Sequence, residues 1–306
     1  MSVDLPLHTL RRDGLTAVFA PSLGGRLLSL RVDDEEVLWQ NPELLDARFR
    51  PVLPLEEWPD GTGGMSTWAN TGGSKTWPAP QGWTTPDEWH GPPDGAFDSG
   101  RWEVLDETAT MISLRSPDDG ATGLRIVREF ILEGAGRITE RITFENRGAT
   151  TSRWAPWEVC QVRTDDGGTV LVEGAALTDE VDLGTWEGSA PSVEQPRGVA
   201  LPVGEGVTKR GYRAGTAITY RRASGTVLRL HAAEEDGEDR SAVFPDGGCR
   251  FELWAQRPVS AAIADLEDLR PDAHLVELEV LGRRTPLDPG DDRTVTVRWD
   301  VGHAAS

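Results

Sequence analysis

Alternation of apolar and polar residues with a period of two is the feature that most constrains the fold of this chain. It is clear in segments such as GLRIVREFIL and ITERITFEN, and similar short runs follow one another along the sequence. Turn sequences rich in Gly, Asp and Pro, such as SPDDGATG and EGAGR, separate them. Runs of this kind, with turn signals about every 8 to 12 residues, are typical of β-sandwiches and barrels. Helical periodicity is weak, with ALTDEVDLG as the only candidate, so we predict an all-β, mostly antiparallel fold.

The segment at about residues 50–100 breaks this pattern. It is rich in Pro and Gly, which are poorly tolerated inside a sheet, and it also carries several tryptophans. Disordered segments are poor in aromatic residues, and a long ordered loop in a compact domain is usually functional. No repeat or shift in composition marks a domain boundary. We therefore predict a single β-domain over residues 1–306, with an active-site loop at about 50–100.

The charge and composition of the chain limit its partners and its compartment. With 51 acidic and 31 basic residues, the formal net charge is −20, whereas nucleic acids and anionic membranes attract basic surfaces. Cys160 and Cys249 form no CxxC motif, and the N-terminal segment lacks the apolar stretch of a signal peptide. We expect a cytoplasmic protein with no nucleic-acid or membrane partner. The sequence carries no indication of the oligomeric state.

The stretch GGSKTWPAPQGW, residues 72–83, contains one of only two lysines in the chain. Here and just before it, polar and aromatic residues interleave: Asn70, Lys75 and Gln81 alternate with Trp68, Trp77 and Trp83. Indole faces pack against the C–H face of a sugar ring, while amide and charged groups bind its hydroxyls. Motifs such as GxSxG, HExxH and the P-loop are absent, and His is too sparse for an obvious metal cluster. We predict a small carbohydrate ligand, no cofactor and no metal at the site, while a structural metal elsewhere in so acidic a chain stays open. The alternative is that the tryptophans are core residues and that Lys75 is exposed or ion-paired.

The two ends of the chain resemble the galactose mutarotase-like superfamily, which includes the aldose 1-epimerases. The segments FAPSLGGRLLSLRVDDEEVLW and HLVELEVLGRRTPLDPGDDRTVTVRWD match its opening and closing strands. The matching positions are Pro21, Gly24, Gly25, Arg26, Val37 to Trp39, Glu277, Glu279, Leu287, Pro289 and Gly290. The loop resembles that of a bacterial branch whose members carry GGxKxWPAPQ. The resemblance implies a β-supersandwich and interconversion at the anomeric carbon of a sugar or sugar derivative.

The resemblance also implies roles for individual residues. Glu277 matches the base that takes the proton of the anomeric hydroxyl, and Glu279, on the same face of the strand, is an alternative or helper. The mid-chain His that serves as the acid is missing from RWAPWEVCQV. Glu158 or His90 could replace it. The residues expected to bind the sugar are Arg26, Asn70, Lys75, Trp77, Gln81, Trp83 and Trp157.

Two other functions stay open. The missing His favours a carbohydrate-binding module that kept the pocket but lost catalysis. The same fold could also serve a lyase, hydrolase or isomerase that acts on a glycoside or another metabolite.

Overall fold

The computed structural model describes residues 5–59, 64–164, 167–189, 191–203, 206–235 and 243–303. Within these ranges, the strands are β1 His8–Arg12, β2 Leu15–Ala20, β3 Arg26–Val32, β4 Glu35–Glu36, β5 Ser74–Ala79, β6 Glu103–Glu107, β7 Met111–Arg115, β8 Leu124–Gly134, β9 Arg137–Asn146, β10 Ala155–Arg163, β11 Gly168–Glu173, β12 Glu180–Ser189, β13 Val193–Gln195, β14 Gly198–Pro202, β15 Gly206–Tyr212, β16 Ala217–Arg222, β17 Thr226–His231, β18 Glu234–Glu235, β19 Phe251–Gln256, β20 Leu275–Leu281 and β21 Asp292–His303. Single turns of 3-10 helix lie at Leu55–Glu57, Met65–Thr67, Leu177–Asp179 and Ala264–Leu266. None of the helices in these ranges has the length and apolar character to cross a membrane.

The strands form two sheets in which all named strands pair antiparallel. The first has the order β1-β2-β3-β5-β10-β20-β19-β15-β12, with β4 on β3. The second has the order β13-β14-β11-β16-β17-β21-β9-β8-β7-β6, with β18 on β21. Aromatic side chains from both sheets meet in the core, where the ring of Phe130 lies 5.0 Å from Phe19 and 6.4 Å from Trp299. The predicted all-β antiparallel fold is confirmed.

Burial differs between the two sheets, and this difference positions the candidate site. Along β8 and β9 buried side chains alternate with more exposed ones, as expected when one face packs on the core. In contrast, every residue of β5, β19 and β20 is buried, as is nearly all of β10. Because these central strands carry polar residues such as Glu277 and Gln161, the first sheet has a second, covered face that is polar.

Part of the Pro-rich segment differs from the predicted loop, because Ser74–Ala79 forms strand β5 inside the first sheet. Pro78 lies opposite Pro156 of β10, and neither residue has an N–H group to donate. Strand β5 pairs with β3 only through Ser74 and Leu27. At Pro78, the side of β5 that faces away from β10 therefore has no paired strand, which is where a sheet tolerates proline. The helical candidate ALTDEVDLG also differs, since only a single 3-10 turn forms there before β12 begins.

Candidate functional site

A cavity of about 250 Å³ opens on the covered polar face of the first sheet. Six of the twelve tryptophans of the chain line it, namely Trp68, Trp77, Trp83, Trp157, Trp186 and Trp254. Polar side chains lie among them, namely Gln81, Gln161, Lys209, Asp246, Glu252, Gln256, Asp265 and Glu277. The cavity therefore offers both flat apolar surfaces and hydrogen-bonding groups.

The register of the central strands brings these side chains together. Glu277 of β20 lies opposite Gln161 of β10 on one side and opposite Trp254 of β19 on the other. Two residues later, Glu279 lies opposite Glu252. Residues directly opposite each other in an antiparallel pair share a face. The site is thus a row of side chains across neighbouring strands.

Glu277 is held by two partners from different strands. Its Oε1 atom accepts a hydrogen bond of 2.6 Å from Nε2 of Gln161 and lies 3.3 Å from Nζ of Lys75. Lys75 is fully buried beneath the cavity floor, with its ammonium 4.8 Å from the ring of Trp77 and 5.3 Å from that of Trp68. Burial lowers the pKa of Lys75 to about 8, although the charge of Glu277 acts in the opposite direction. The side chain of Glu277 keeps 11% exposure and lines the cavity.

A second cluster surrounds Lys209. Its Nζ atom lies 2.9 Å from Oε2 of Glu252 and 3.1 Å from Oε2 of Glu279, and 4.4 Å from the ring of Trp157. Trp157 donates its indole N–H to Glu279 at 2.7 Å. Burial acts to lower the pKa of Lys209, but the two carboxylates outweigh it and raise that pKa. Burial raises the pKa values of Glu252 and Glu279. Two buried carboxyl groups thus share one ammonium group.

Several buried polar atoms on this face have no hydrogen-bond partner among the described residues. They are Gln161 Oε1, Glu252 Oε1, Glu279 Oε1 and Trp77 Nε1. Buried polar groups in proteins are nearly always paired. Such atoms beside a cavity suit a ligand that offers several hydroxyl groups. In the described part of the chain, no group of three or more His, Cys, Asp or Glu side chains is arranged to hold a metal ion.

The structure brings together most of the sequence-predicted residues. Trp77, Gln81, Trp83, Trp157 and Glu277 line the cavity. Lys75 and Glu279 lie beside it, through their contacts with Glu277 and Lys209.

Arg26 and Asn70 do not line the cavity but hold the chain at the start of β5. Arg26 is buried, pairs with Asp98 at 2.5 Å and donates to the carbonyl of Gly72 at 2.9 Å. Asn70 accepts a hydrogen bond from the Gly72 amide through Oδ1 at 3.1 Å. Asp98 in turn accepts the indole N–H of Trp68 at 2.8 Å, so this network also orients a cavity tryptophan.

Neither of the two acids predicted from the sequence reaches the cavity. Glu158 lies on the other face of β10 from Trp157, because successive strand residues point to opposite faces. It is fully buried between the sheets, accepts a hydrogen bond from Thr76 at 2.8 Å and pairs with Arg128 at 3.0 Å. His90 is exposed in a loop, where its carbonyl accepts the indole N–H of Trp83. The cavity-lining residues that the structure describes include no histidine.

Sequence reasoning missed the residues that β15 and β19 contribute. These are Lys209, Glu252, Trp254 and Gln256. A signal was present, since Lys209 is the other of the two lysines and CRFELWAQ places Glu, Trp and Gln at alternate positions of one strand. Residues at alternate positions of a strand point to the same face, so this pattern placed the three side chains on one side of the sheet.

Comparison with known proteins finds structural similarity without close sequence similarity. No protein-family model matches this chain, and no curated protein matches it. A galactose mutarotase-like protein from Lactobacillus casei matches with a TM-score of 0.58 at 13% identity, over 97% of this chain and 100% of that one. A galactose mutarotase related enzyme from Lactobacillus acidophilus matches with a TM-score of 0.55 at 14% identity, over 98% and 99%. An aldose epimerase homologue from C. elegans matches with a TM-score of 0.56 at 11% identity, over 98% and 99%. At these identities the likeness shows the fold alone, and the chain has the β-sandwich fold of these galactose mutarotase-like proteins.

Proposed function

We propose that this protein binds an aldose in the cavity and interconverts its two anomers by acid–base catalysis. The observation that carries the proposal is Glu277, a carboxylate held by Lys75 and Gln161 at the floor of a cavity lined by six tryptophans. The fold supports it further, because proteins named as mutarotases or aldose epimerases share this architecture.

The lining supports a single sugar unit as the ligand. At about 250 Å³ the cavity is smaller than the roughly 300–1,000 Å³ typical of sites for drug-sized molecules. Indole faces such as those of Trp157 and Trp254 suit the C–H face of a pyranose ring. The unpartnered oxygen of Gln161 and the indole N–H of Trp77 offer an acceptor and a donor for its hydroxyls.

In the proposed mechanism Glu277 is the general base. It removes the proton of the anomeric hydroxyl while an acid protonates the ring oxygen, so that the ring opens to the aldehyde. Rotation about the bond between C1 and C2, followed by ring closure, yields the other anomer. Lys75 is a positioning residue, since its ammonium group and the Gln161 amide hold the side chain of Glu277 in place. The reaction transfers protons only, so it requires no cofactor.

The test is the rate at which a freshly dissolved anomer equilibrates with and without the protein. We expect at least one aldose, from a panel that includes glucose, galactose and mannose, to equilibrate faster when followed by polarimetry or by its anomeric proton signals. The rate should scale with protein concentration, and heat-denatured protein should have no effect. No acceleration for any aldose would contradict the proposal.

A non-catalytic sugar-binding protein is the second candidate. One observation favours it, namely that no histidine occurs among the described residues that line the cavity. This alternative predicts saturable binding of an aldose, seen by calorimetry or tryptophan fluorescence, without any change in the rate of anomer exchange.

A further inference from the structure

Anomer exchange needs an acid at the ring oxygen, and Glu158 and His90 both lie outside the cavity. Resting on the proposed function, we propose that Glu252 is the general acid, which protonates the ring oxygen while Glu277 takes the proton of the anomeric hydroxyl. Glu252 lines the cavity on β19, which is hydrogen-bonded to the strand that carries Glu277.

The register places Glu252 within reach of the same carbon atom as Glu277. Glu252 lies opposite Glu279, and Glu277 is two residues earlier on the same face of β20. The backbone positions of such diagonal neighbours across an antiparallel pair are about 7 Å apart. The ring oxygen and the anomeric oxygen are bonded to one carbon, so two Glu side chains that leave the sheet at this spacing can converge on both oxygens of one sugar.

One oxygen of Glu252, a residue that lines the cavity, makes no contact that would compete with a proton transfer. The residue is only 1% exposed, and its Oε2 atom lies 2.9 Å from Lys209 Nζ. Its Oε1 atom is buried and has no hydrogen-bond partner among the residues that the structure describes. A buried carboxyl oxygen without a partner is costly when it is ionised and suits a group that carries a proton.

The surrounding charges favour the protonated form of Glu252. Burial raises its pKa well above the ordinary value, Lys209 on β15 acts against this, and Asp246 before β19 and Glu279 on β20 raise it further. The neighbouring Cys249 thiol is neutral, because burial raises its pKa to about 12. The ionised form is better stabilised in Glu279 than in Glu252, since Glu279 accepts a hydrogen bond from Trp157 in addition to its contact with Lys209. These contacts favour a proton on Glu252 over one on Glu279.

The step balances without any further reactant. The Glu252 proton passes to the ring oxygen, which also keeps the electron pair of the breaking bond between C1 and the ring oxygen. Glu277 accepts the proton of the anomeric hydroxyl, and the electron pair of that O–H bond forms the C=O bond of the aldehyde. After rotation about the bond between C1 and C2, the reverse transfers return both protons and close the ring as the other anomer.

The variant Glu252→Gln tests the assignment, with Glu194→Gln on the exposed strand β13 as the matched control. For an aldose that the wild-type protein turns over, we expect the Glu252→Gln variant to lose about 10²–10⁴-fold in kcat, with KM changed less than about threefold. In the wild type, kcat should fall at alkaline pH as Glu252 loses its proton. This limb should be absent from the residual activity of the variant, which keeps only the fall that deprotonation of Lys75, with a pKa of about 8, produces in both proteins. Glu194→Gln should retain the wild-type rate and profile.

Two results would overturn the proposal in distinguishable ways. An active wild type, together with a Glu252→Gln variant that keeps more than a tenth of its activity and the same alkaline limb, overturns the role of Glu252 alone. A wild type that accelerates no aldose overturns the proposed function and this role with it. If Glu252→Gln folds poorly, carboxyl ¹³C spectra of the wild type decide, with the Glu252 signal assigned through Glu252→Asp. A protonated carboxyl at pH 7 supports the role, and an ionised one overturns it.

Discussion

The ammonium group of Lys75 lies 3.3 Å from the Glu277 carboxylate, although the two residues are 202 positions apart in the sequence. This contact joins the Pro-rich early segment to a late strand of the same sheet. It forms beneath the cavity floor, where Lys75 is fully buried and the rings of Trp68 and Trp77 lie over its charge. The lysine is thus a fixed part of the site and not a mobile surface cation.

The buried Lys75 should make the stability of the protein depend on pH. Its pKa is about 8 in the folded protein against an ordinary value of 10.5, so between these pH values the unfolded chain binds more protons than the folded one. The free energy of unfolding should therefore rise with pH across this window, by up to about 3 kcal/mol from Lys75. In Lys75→Met this contribution should vanish. Urea denaturation of the wild type and of Lys75→Met between pH 8 and 10.5 measures the difference. If the free energy of unfolding changes with pH to the same extent in both proteins, the prediction is contradicted.

Trp254 should provide much of the affinity for a sugar. It lies opposite both Lys209 and Glu277 in the sheet, and its ring packs 5.5 Å from that of Trp186. We expect Trp254→Ala to weaken aldose binding by about 2 kcal/mol, roughly 30-fold, as for a central aromatic contact residue. Trp58→Ala is the control, because Trp58 is outside the cavity and donates to the carbonyl of Leu53. Calorimetry that finds equal affinities for both variants would exclude this role of Trp254.

Phosphorylated sugars should bind more weakly than neutral ones. Asp246, Glu252, Asp265 and Glu277 line the cavity, whereas Lys209 is the only basic residue among its described lining. Even with Glu252 protonated and Glu277 paired with Lys75, Asp246 and Asp265 remain, and the one lining ammonium group, on Lys209, already contacts Glu279. A phosphate group in this field should cost at least about tenfold in affinity at low ionic strength. The measurement is a comparison of an aldose, its 6-phosphate and its 6-deoxy form. Tighter binding of the phosphate would contradict the prediction.

The ion-pair network that contains Glu158 should contribute to stability. Arg128 is fully buried and contacts Glu140 at 2.8 Å and Glu158 at 3.0 Å. We expect Arg128→Met to lower the free energy of unfolding by about 3–5 kcal/mol, because it leaves two carboxyl groups buried without their partner. The control Arg141→Met removes an exposed arginine that lies 3.6 Å from Glu129, and it should cost less than about 1 kcal/mol. If Arg128→Met and Arg141→Met shift the denaturation midpoint equally, the network does not contribute this stability.

Much of the fold was predictable, because alternation along strands such as β8 and β9 reports directly which face is buried. Strand β5 was not, since Pro78 is acceptable there only through its position opposite Pro156 at a free edge. The sequence does not record which strand will lie beside a proline. Prolines and glycines near residue 75 therefore indicated a loop where the chain forms a strand.

The candidate site was predictable in part. Trp157 and Glu158 are consecutive residues of one strand, so the period of two alone forbids both from facing one cavity. Because β10 is buried on both faces, its sequence does not tell which face is the core. Lys209 and Glu252 were missed for a related reason. Their contact depends on the order and register of β15, β19 and β20, which only the folded sheet defines.

The rate of anomer exchange by Glu277→Gln, measured together with its sugar affinity, tests the central claim most directly. Gln keeps the size of the side chain but cannot accept the proton of the anomeric hydroxyl. We predict that the wild-type protein accelerates exchange of an aldose and that Glu277→Gln loses at least about 100-fold of this rate, while its dissociation constant stays within about threefold. Exchange by Glu277→Gln at the wild-type rate would contradict the account.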